Sequence, residues 1–398
     1  MVQRNSFFHS TKRNRRTVLD RPYRSCAARS VPEARLQPGE GSGPFHNFLA
    51  LHACAGHFST PNRLGTFTPG TEMFKSVEAF MDRLIDYAGL FPPARLSMEE
   101  ALENYLKYRS GPDCWMLGRF VVRVDQLAEL NRVLSKKGRL EKPIPLSLVG
   151  GRLDDLARMF EQTEADVQAV QHQLQVASGG LGVGSVEVYL SPEVARALTP
   201  ELLQHLLGSW AEVPGTADGS VVVFLETSPG RLESAELNQF VQVIRQTGQN
   251  DAQAEKPMPG FKLRCGGEAP DAVPPAALVA RVLLACRDQR VPFKATAGLH
   301  HPFRHYNTRE KRELHGFVNI FGAGILAVRH MLDLHQVEQI VADDNIVHFM
   351  FTPTAFGWKD LQVSVSEIRK ARQYLYRSFG SCSFEEPLDD LRDLGLLD

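Results

Sequence analysis

Two lysines stand at matching places in two short, largely apolar segments of this chain. Lys262 lies in Gly260-Phe261-Lys262-Leu263-Arg264-Cys265-Gly266-Gly267, and Lys294 in Pro292-Phe293-Lys294-Ala295-Thr296-Ala297-Gly298. If both segments are strands, period-two alternation puts Lys262 and Arg264 on one face, with Phe261, Leu263 and Cys265 on the other. Lys294 and Thr296 likewise oppose Phe293, Ala295 and Ala297. The apolar faces suit covering helices, so the cations are expected to point inward, where lysine is seldom placed without a purpose. Burial and a neighbouring like charge both lower a lysine pKa, which frees the amine to attack a carbonyl and form a Schiff base. Lys262 is the candidate nucleophile and Lys294 its electrostatic partner.

Carboxylates recur in similar contexts. Glu226 ends the apolar run Val221–Leu225, which places it at a strand tip beside Lys262 or Arg264 as a proton-transfer candidate. Asp86, followed by Tyr87-Ala88-Gly89, is a second such candidate. Glu187 and Tyr189 share a face of a further apolar run, where Glu187 either lines the site or forms a structural ion pair. Beyond Lys294 comes a polar loop with His300, His301, Pro302, Arg304, His305 and Tyr306, and seven of the thirteen histidines lie between His300 and His348. This loop reads as a site lining, with His300 or His301 as acid or base and Arg304 on an anionic group. His301 and His305 have the i,i+4 spacing of metal ligands, but Pro302 argues against a regular helix there. No metal ligand is assigned; a divalent metal held by Glu187, Glu226 and these histidines is the alternative.

These residues need a scaffold that brings distant segments together. From Met73 onward a short apolar strand, a turn and an amphipathic helix recur. Strands are expected at Leu84–Leu90, Met116–Val124, Ile144–Val149, Ser185–Leu190, Val221–Glu226, Phe261–Cys265, Phe293–Ala297 and Ile346–Phe351. The helices between them carry legible starts. Ser97 with Glu100, and Ser364 with Glu367, form capping boxes; Asp125 is the expected cap of a helix over Gln126–Leu134. Ser191-Pro192 supplies a cap and a first-turn proline. A long helix is expected over Leu153–Val176, and the last one from Ser364 to about Phe379. Gly322-Ala323-Gly324 reads as a place of close helix packing.

Alternation of this kind implies parallel pairing with crossover helices. Eight strands over 326 residues favour a closed α/β barrel of the (β/α)8 TIM type over an open doubly wound sheet, and no G-x-G-x-x-G follows the first strand. In such a barrel the active site lies at the C-terminal strand ends. The predicted eighth strand puts His348, Met350 and Thr352 on one face.

Lys262 and Lys294, on the sixth and seventh predicted strands with glycines soon after each, resemble the paired lysines of class I aldolases of the deoxyribose-phosphate aldolase type. The resemblance implies a Schiff-base lysine at Lys262, a tuning lysine at Lys294, and a short phosphorylated aldehyde as substrate. It covers these two strands alone. The Arg264-Cys265-Gly266-Gly267 tail and the histidine-rich loop depart from that family's pattern, so substrate identity is not carried over.

The totals of 45 basic and 46 acidic side chains hide an uneven distribution. Residues 1–72 hold ten of the bases and four of the acids, leaving 35 and 42 for the rest. That first segment lacks helical or strand periodicity and is read as a disordered or loosely attached basic extension. It suits a targeting segment or an upstream extension of a start at Met73. Residues 73–398 are expected to form the barrel domain. Near-neutral charge gives no whole-protein case for nucleic acid or anionic membranes. No apolar run is long enough to span a bilayer. Six scattered cysteines without C-x-x-C suggest reduced thiols and a cytoplasmic protein.

The sequence thus points to a barrel enzyme acting on a small anionic carbonyl compound, with an aldolase-like lyase using a lysine imine as its most concrete form. Lys262, Lys294, Glu226 and Asp86 would carry the chemistry. Arg264, Gly266, Gly267, His300, His301, Arg304 and His305 would bind substrate. No cofactor is required by this reading, and a homo-oligomer is compatible with it. The alternatives are a metal-dependent lyase or hydrolase and a non-catalytic anion-binding barrel.

Overall fold

The computed structural model describes residues 73–138, 140–213, 222–249, 258–269 and 272–397. The basic segment 1–72 and Val221 lie outside the described residues. Seven barrel strands come first: β1 (Ile85–Tyr87), β2 (Leu117–Arg123), β3 (Ile144–Leu153), β4 (Leu181–Leu190), β5 (Val222–Glu226), β6 (Met258–Arg264) and β7 (Phe293–Thr296). A hairpin, β8 (His305–Asn307) and β9 (Arg312–Leu314), decorates the loop after β7. A three-stranded antiparallel sheet follows, of β10 (Phe349–Phe351), β11 (Ala355–Trp358) and β12 (Leu361–Ser364). The last strand is β13 (Tyr376–Ser381). The barrel closes in the order β1-β13-β7-β6-β5-β4-β3-β2, with every neighbouring pair parallel. A ring of eight parallel strands with helical crossovers is the (β/α)8 architecture.

Helices α1 (Lys75–Met81), α2 (Met98–Ser110), α3 (Leu127–Ser135), α4 (Met159–Val176), α5 (Pro192–Ala197), α6 (Pro200–Ala211), α7 (Ser234–Gln249), α8 (Ala276–Gln289), α9 (Phe317–His330), α10 (Leu334–Ala342), α11 (Val365–Tyr374) and α12 (Glu385–Asp393) complete the chain order. The cap chemistry is mostly where the sequence puts it. Both bonds of the Ser97/Glu100 box open α2, and both bonds of the Ser364/Glu367 box open α11. Ser191 Oγ accepts from Val194 N with Pro192 in the first turn of α5. Asp125 is not a cap; its carboxylate takes a hydrogen bond from Arg123 Nε at 2.8 Å, and α3 starts two residues later.

The eighth barrel strand is not Ile346–Phe351. That segment makes a 3-10 turn over Ile346–His348 and then β10, which pairs antiparallel with β11 outside the barrel. His348 accordingly leaves the barrel interior and binds Asp343 Oδ2 through Nδ1 at 2.8 Å. The strand that closes the ring is β13, within the stretch expected to end the last helix. Its inward side chain is small and polar: Ser378 turns to Asp86, while Phe379 stacks outward on Phe317 at 5.2 Å. A strand with so little apolar signal, separated from α11 by Leu375 alone, leaves no turn punctuation to read. The long helix is also shorter than expected, because β3 runs on through Gly150 and Gly151 to Leu153. Those glycines mark a register shift in the β3–β4 pairing, where Gly151 N donates to Asp166 Oδ2 of α4 at 2.7 Å. Glycine in a strand signals a bulge as readily as a turn.

α9 is buried from Phe317 through Ala327 because it has partners on opposite sides. Phe321 meets Phe293 and Phe379 of the barrel wall. Gly322 and Gly324 let the rings of Phe356 and Tyr376 approach; a Cβ at either position would come within 2.6 and 2.5 Å of them. The small sheet therefore packs over the outer side of α9. Cys265, Cys286 and Cys382 are free thiols. No helix among the described residues is long and apolar enough to cross a membrane.

Candidate active site

The barrel interior holds an alternating chain of charges. On β7, Lys294 Nζ lies 2.5 Å from Asp86 Oδ2 of β1 and 2.7 Å from Glu187 Oε1 of β4. The other oxygen of Glu187 reaches Lys262 Nζ of β6 at 2.5 Å, and Lys262 reaches Glu226 Oε2 of β5 at 2.7 Å. Glu226 Oε1 then accepts from Arg264 Nε at 3.2 Å. Register explains the juxtaposition. Glu226, Lys262 and Lys294 are aligned partners across β5, β6 and β7, and Ser378 of β13 continues the row. Parallel neighbours in register point their side chains to the same face, so one alternating pattern repeated on each strand fills the interior with charge.

Hydroxyl groups complete the network. Ser147 Oγ donates to Glu187 Oε1 at 2.5 Å and lies 2.7 Å from Ser185 Oγ, while Lys294 Nζ donates to Ser147 Oγ at 3.1 Å. Ser378 Oγ donates to Asp86 Oδ2 at 2.7 Å, and Arg119 N donates to Asp86 Oδ1 at 2.7 Å. The Arg119 guanidinium adds a longer contact to the same oxygen, 3.8 Å. Every carboxylate in the cluster thus has several donors, as buried charge requires.

Exposure grades the cluster from floor to mouth. The side chains of Asp86 and Lys294 are 0% exposed, Glu187 2%, Lys262 6%, Glu226 9% and Arg264 53%. Lys262 keeps a trace of solvent exposure, whereas its register partner Lys294 keeps none. Arg264 stands at the C-terminal tip of β6 with half its side chain in solvent.

The electrostatics differ from the sequence expectation in one respect. Lys262 does not meet Lys294 as a bare like charge, because Glu187 sits between the two ammonium groups. Burial works to lower the Lys262 pKa, but Glu187 and Glu226 outweigh it and hold the amine above its ordinary value. The carboxylates respond in the opposite sense. Burial opposes ionisation of Glu187, yet Lys262 and Lys294 together keep it far below the usual carboxylate range. Asp86 is lowered against its burial by Lys294 and Arg119, and Glu226 by Lys262 and Arg264. With the Lys262 pKa raised by its carboxylate neighbours, nucleophilic use of its amine requires a proton acceptor at hand.

The loops after β6 and β7 interlock at the rim. A Cβ on Gly266 would lie 2.7 Å from Gly298 Cα, so these two backbones touch only because both lack side chains. Gly298 adopts a φ of +71°, which glycine takes without strain. Gly267 follows Gly266, and its carbonyl accepts from Arg312 Nη2 at 2.5 Å.

The histidines of the loop after β7 have hydrogen-bond partners of their own. His300 Nδ1 pairs with Glu386 of α12 at 2.9 Å, and His301 Nδ1 pairs with Asp390 of the same helix at 2.6 Å. Arg304 pairs with Glu313 of β9 at 3.6 Å and donates its backbone N–H to Asn319. His305 Nδ1 meets the carbonyl of Phe303 at 3.1 Å, and its ring packs edge-on against His301 with centroids 4.5 Å apart. Glu187 and Glu226 are meanwhile occupied by lysine. Among the described residues no group of three or more His, Cys, Asp or Glu side chains is placed to hold a metal ion. The donors of the metal alternative are therefore dispersed over two separate networks.

Sequence reasoning missed Ser147, Ser185, Ser378 and Arg119. Ser147 and Ser185 interrupt otherwise apolar strands at positions that alternation turns inward, a signal available in the sequence. Ser378 and Arg119 carry none that distinguishes them from surface residues.

No family model matches the chain, and no curated protein matches it. Among solved structures, one described as QR15, an aldolase, aligns over 54% of this chain and 80% of its own, with 14% identity and a TM-score of 0.34. Triosephosphate isomerase from Bartonella henselae aligns over 50% of this chain and 87% of its own, with 13% identity and a TM-score of 0.28. The barrel assignment stands on the closed ring of strands itself.

Proposed function

We propose that this barrel is a lyase of the aldolase type, which cleaves or forms a carbon–carbon bond of a small anionic carbonyl compound through an imine on Lys262. One observation carries the reading: an ammonium group inside a closed barrel is held between two carboxylates, one of which also binds a half-exposed arginine. Glu226 accepts from both Lys262 and Arg264. Arrival of an anionic substrate group on Arg264 would loosen that grip and leave Glu226 free to take the Lys262 proton. The neutral amine then adds to the carbonyl carbon, and the resulting carbinolamine loses water to give the iminium ion. Glu226, having returned its proton to the departing water, takes the proton of the β-hydroxyl as the carbon–carbon bond breaks, which releases an aldehyde and leaves an enamine. Glu226 then protonates the enamine carbon, and water hydrolyses the iminium to free the second carbonyl product and Lys262. Lys294, fully buried, stays paired with Asp86 and Glu187.

Borohydride reduction in the presence of a panel of short aldehydes and ketones, with and without phosphate or carboxylate groups, tests this reading. A stable adduct on the peptide containing Lys262, absent in Lys262→Met, is the expected result. Absence of an adduct at Lys262 with every carbonyl compound, in folded protein, rejects the imine.

A further inference from the structure

The rim of the barrel carries a second arrangement of reactive groups that the imine chemistry does not use. Cys382 follows the last residue of β13, at the same C-terminal end as Arg264. Its Sγ lies 3.9 Å from His300 Nε2, and the other ring nitrogen of His300 lies 2.9 Å from Glu386 Oε2. A thiol, an imidazole and a carboxylate in that order are a nucleophile, its base and the group that orients the base. We propose that Cys382, His300 and Glu386 form a peroxide-reactive centre in which the Cys382 sulfur attacks hydroperoxides and becomes a sulfenic acid.

The geometry assigns each group a task. Glu386, in the first turn of α12, fixes the His300 ring so that Nε2 faces the sulfur, and Glu386 is itself anchored by a backbone bond from its N–H to Ser383 Oγ at 3.1 Å. His300 takes the thiol proton. The sulfur then attacks one peroxide oxygen, forming the S–O bond as the O–O bond breaks. The departing hydroxide or alkoxide takes the proton from His300 and leaves as water or alcohol. Sulfur is oxidised by two electrons, the peroxide is reduced by two, and the imidazole returns to its starting state.

The other two free thiols among the described residues make a built-in contrast. Cys265 and Cys286 are fully buried, and burial pushes both thiols well above their ordinary range. Cys382 is only partly buried and has an imidazole against its sulfur. Burial of His300 disfavours its protonated form, but the bonds to Cys382 and Glu386 prevail and the imidazole is pushed up to about 10. A ring that readily holds a proton beside sulfur is the setting of reactive cysteines.

The test treats the full-length protein with hydrogen peroxide and dimedone, then maps labelled peptides by mass spectrometry. Labelling is expected at Cys382 and not at Cys265 or Cys286, at a rate at least about tenfold above free cysteine. His300→Asn is expected to slow it by at least about tenfold, within the range general-base groups contribute, and Glu386→Gln by a smaller factor. Circular dichroism and melting establish that each variant is folded; if His300→Asn does not fold, Glu386→Gln decides. Cys382 unlabelled in the folded wild type, or a labelling rate unchanged in the folded variants, overturns the proposal. Neither readout involves carbonyl substrates, so failure here leaves the imine test unaffected.

Discussion

Glu187 is the shared element of the ion cluster, and Glu187→Gln is the sharpest way to probe it. The substitution keeps the shape and removes one charge. In the native site the two carboxylate oxygens take Lys262 at 2.5 Å, Lys294 at 2.7 Å and Ser147 at 2.5 Å. A glutamine retains one carbonyl oxygen for one lysine, while its amide nitrogen must face the other ammonium group. Removing one partner from a buried ion network costs about 3–5 kcal/mol, and that loss is expected at pH 7, read from urea unfolding. The pH dependence follows from sign. The folded-state pKa of Glu187 is depressed below its ordinary 4.5, so its contribution is present above about 4.5 and is lost as pH falls from there. The gap between wild type and variant should therefore be constant from pH 8 to 5 and narrow below. Adding Lys294→Met removes the opposite charge, and the double variant should be more stable than the sum of the singles by about 1–3 kcal/mol. Because Glu187 helps hold the Lys262 amine protonated, borohydride trapping in Glu187→Gln should set in at lower pH than in wild type. A loss under about 1 kcal/mol at pH 7, or strictly additive singles, refutes the electrostatic account of the cluster.

Three further outcomes are expected. His315 is buried, with Nε2 2.7 Å from the Pro274 carbonyl, and burial lowers its pKa from 6.5 to about 4. The unfolded chain therefore takes up that proton first, and stability falls as pH drops from about 6.5 towards 4; at pH 5 the loss is about 2 kcal/mol, and denaturation of His315→Gln should show a correspondingly flatter profile. Asn319 holds the Arg304 N–H and the carbonyls of Ile340 and Asp343 together, so Asn319→Ala should cost about 3 kcal/mol by the same method. Gly266→Ala must displace the Gly298 backbone; a cost of about 1–3 kcal/mol in thermal unfolding is expected, and an unchanged melting curve contradicts the interlocked rim.

The barrel was legible because its first seven strands advertise themselves by apolar runs bounded by turns. Period-two alternation also placed Lys262, Arg264 and Lys294 on the inner face, where they lie. The eighth strand was not legible. Phe349-Met350-Phe351 is the more apolar run, whereas Tyr376-Arg377-Ser378-Phe379-Gly380-Ser381 spends its inward positions on small residues beside a crowded ionic floor. Local pattern cannot see that crowding; it is a property of the closed ring. The lysine electrostatics fail for a similar reason. Spacing within β6 and β7 shows two cations approaching each other, but only the register of β4 puts Glu187 between them. His300 and His301 pair with Glu386 and Asp390 of α12, a helix that no apolar repeat in the sequence announces.

Because β13 follows the whole of the appended sheet and α11, the ring has a seam between its first and last strands, and the ions are stitched across it. Asp86 comes from the first strand, Ser378 from the last and Lys294 from the one beside the last. A chain halted before Tyr376 would possess Lys262, Glu187, Glu226 and Lys294 without the strand that joins Asp86 to them. The pairing of Lys294 with Asp86 is thereby conditional on completion of the circle. The strand that closes the ring also completes the hydrogen bonding of Asp86, through Ser378 Oγ.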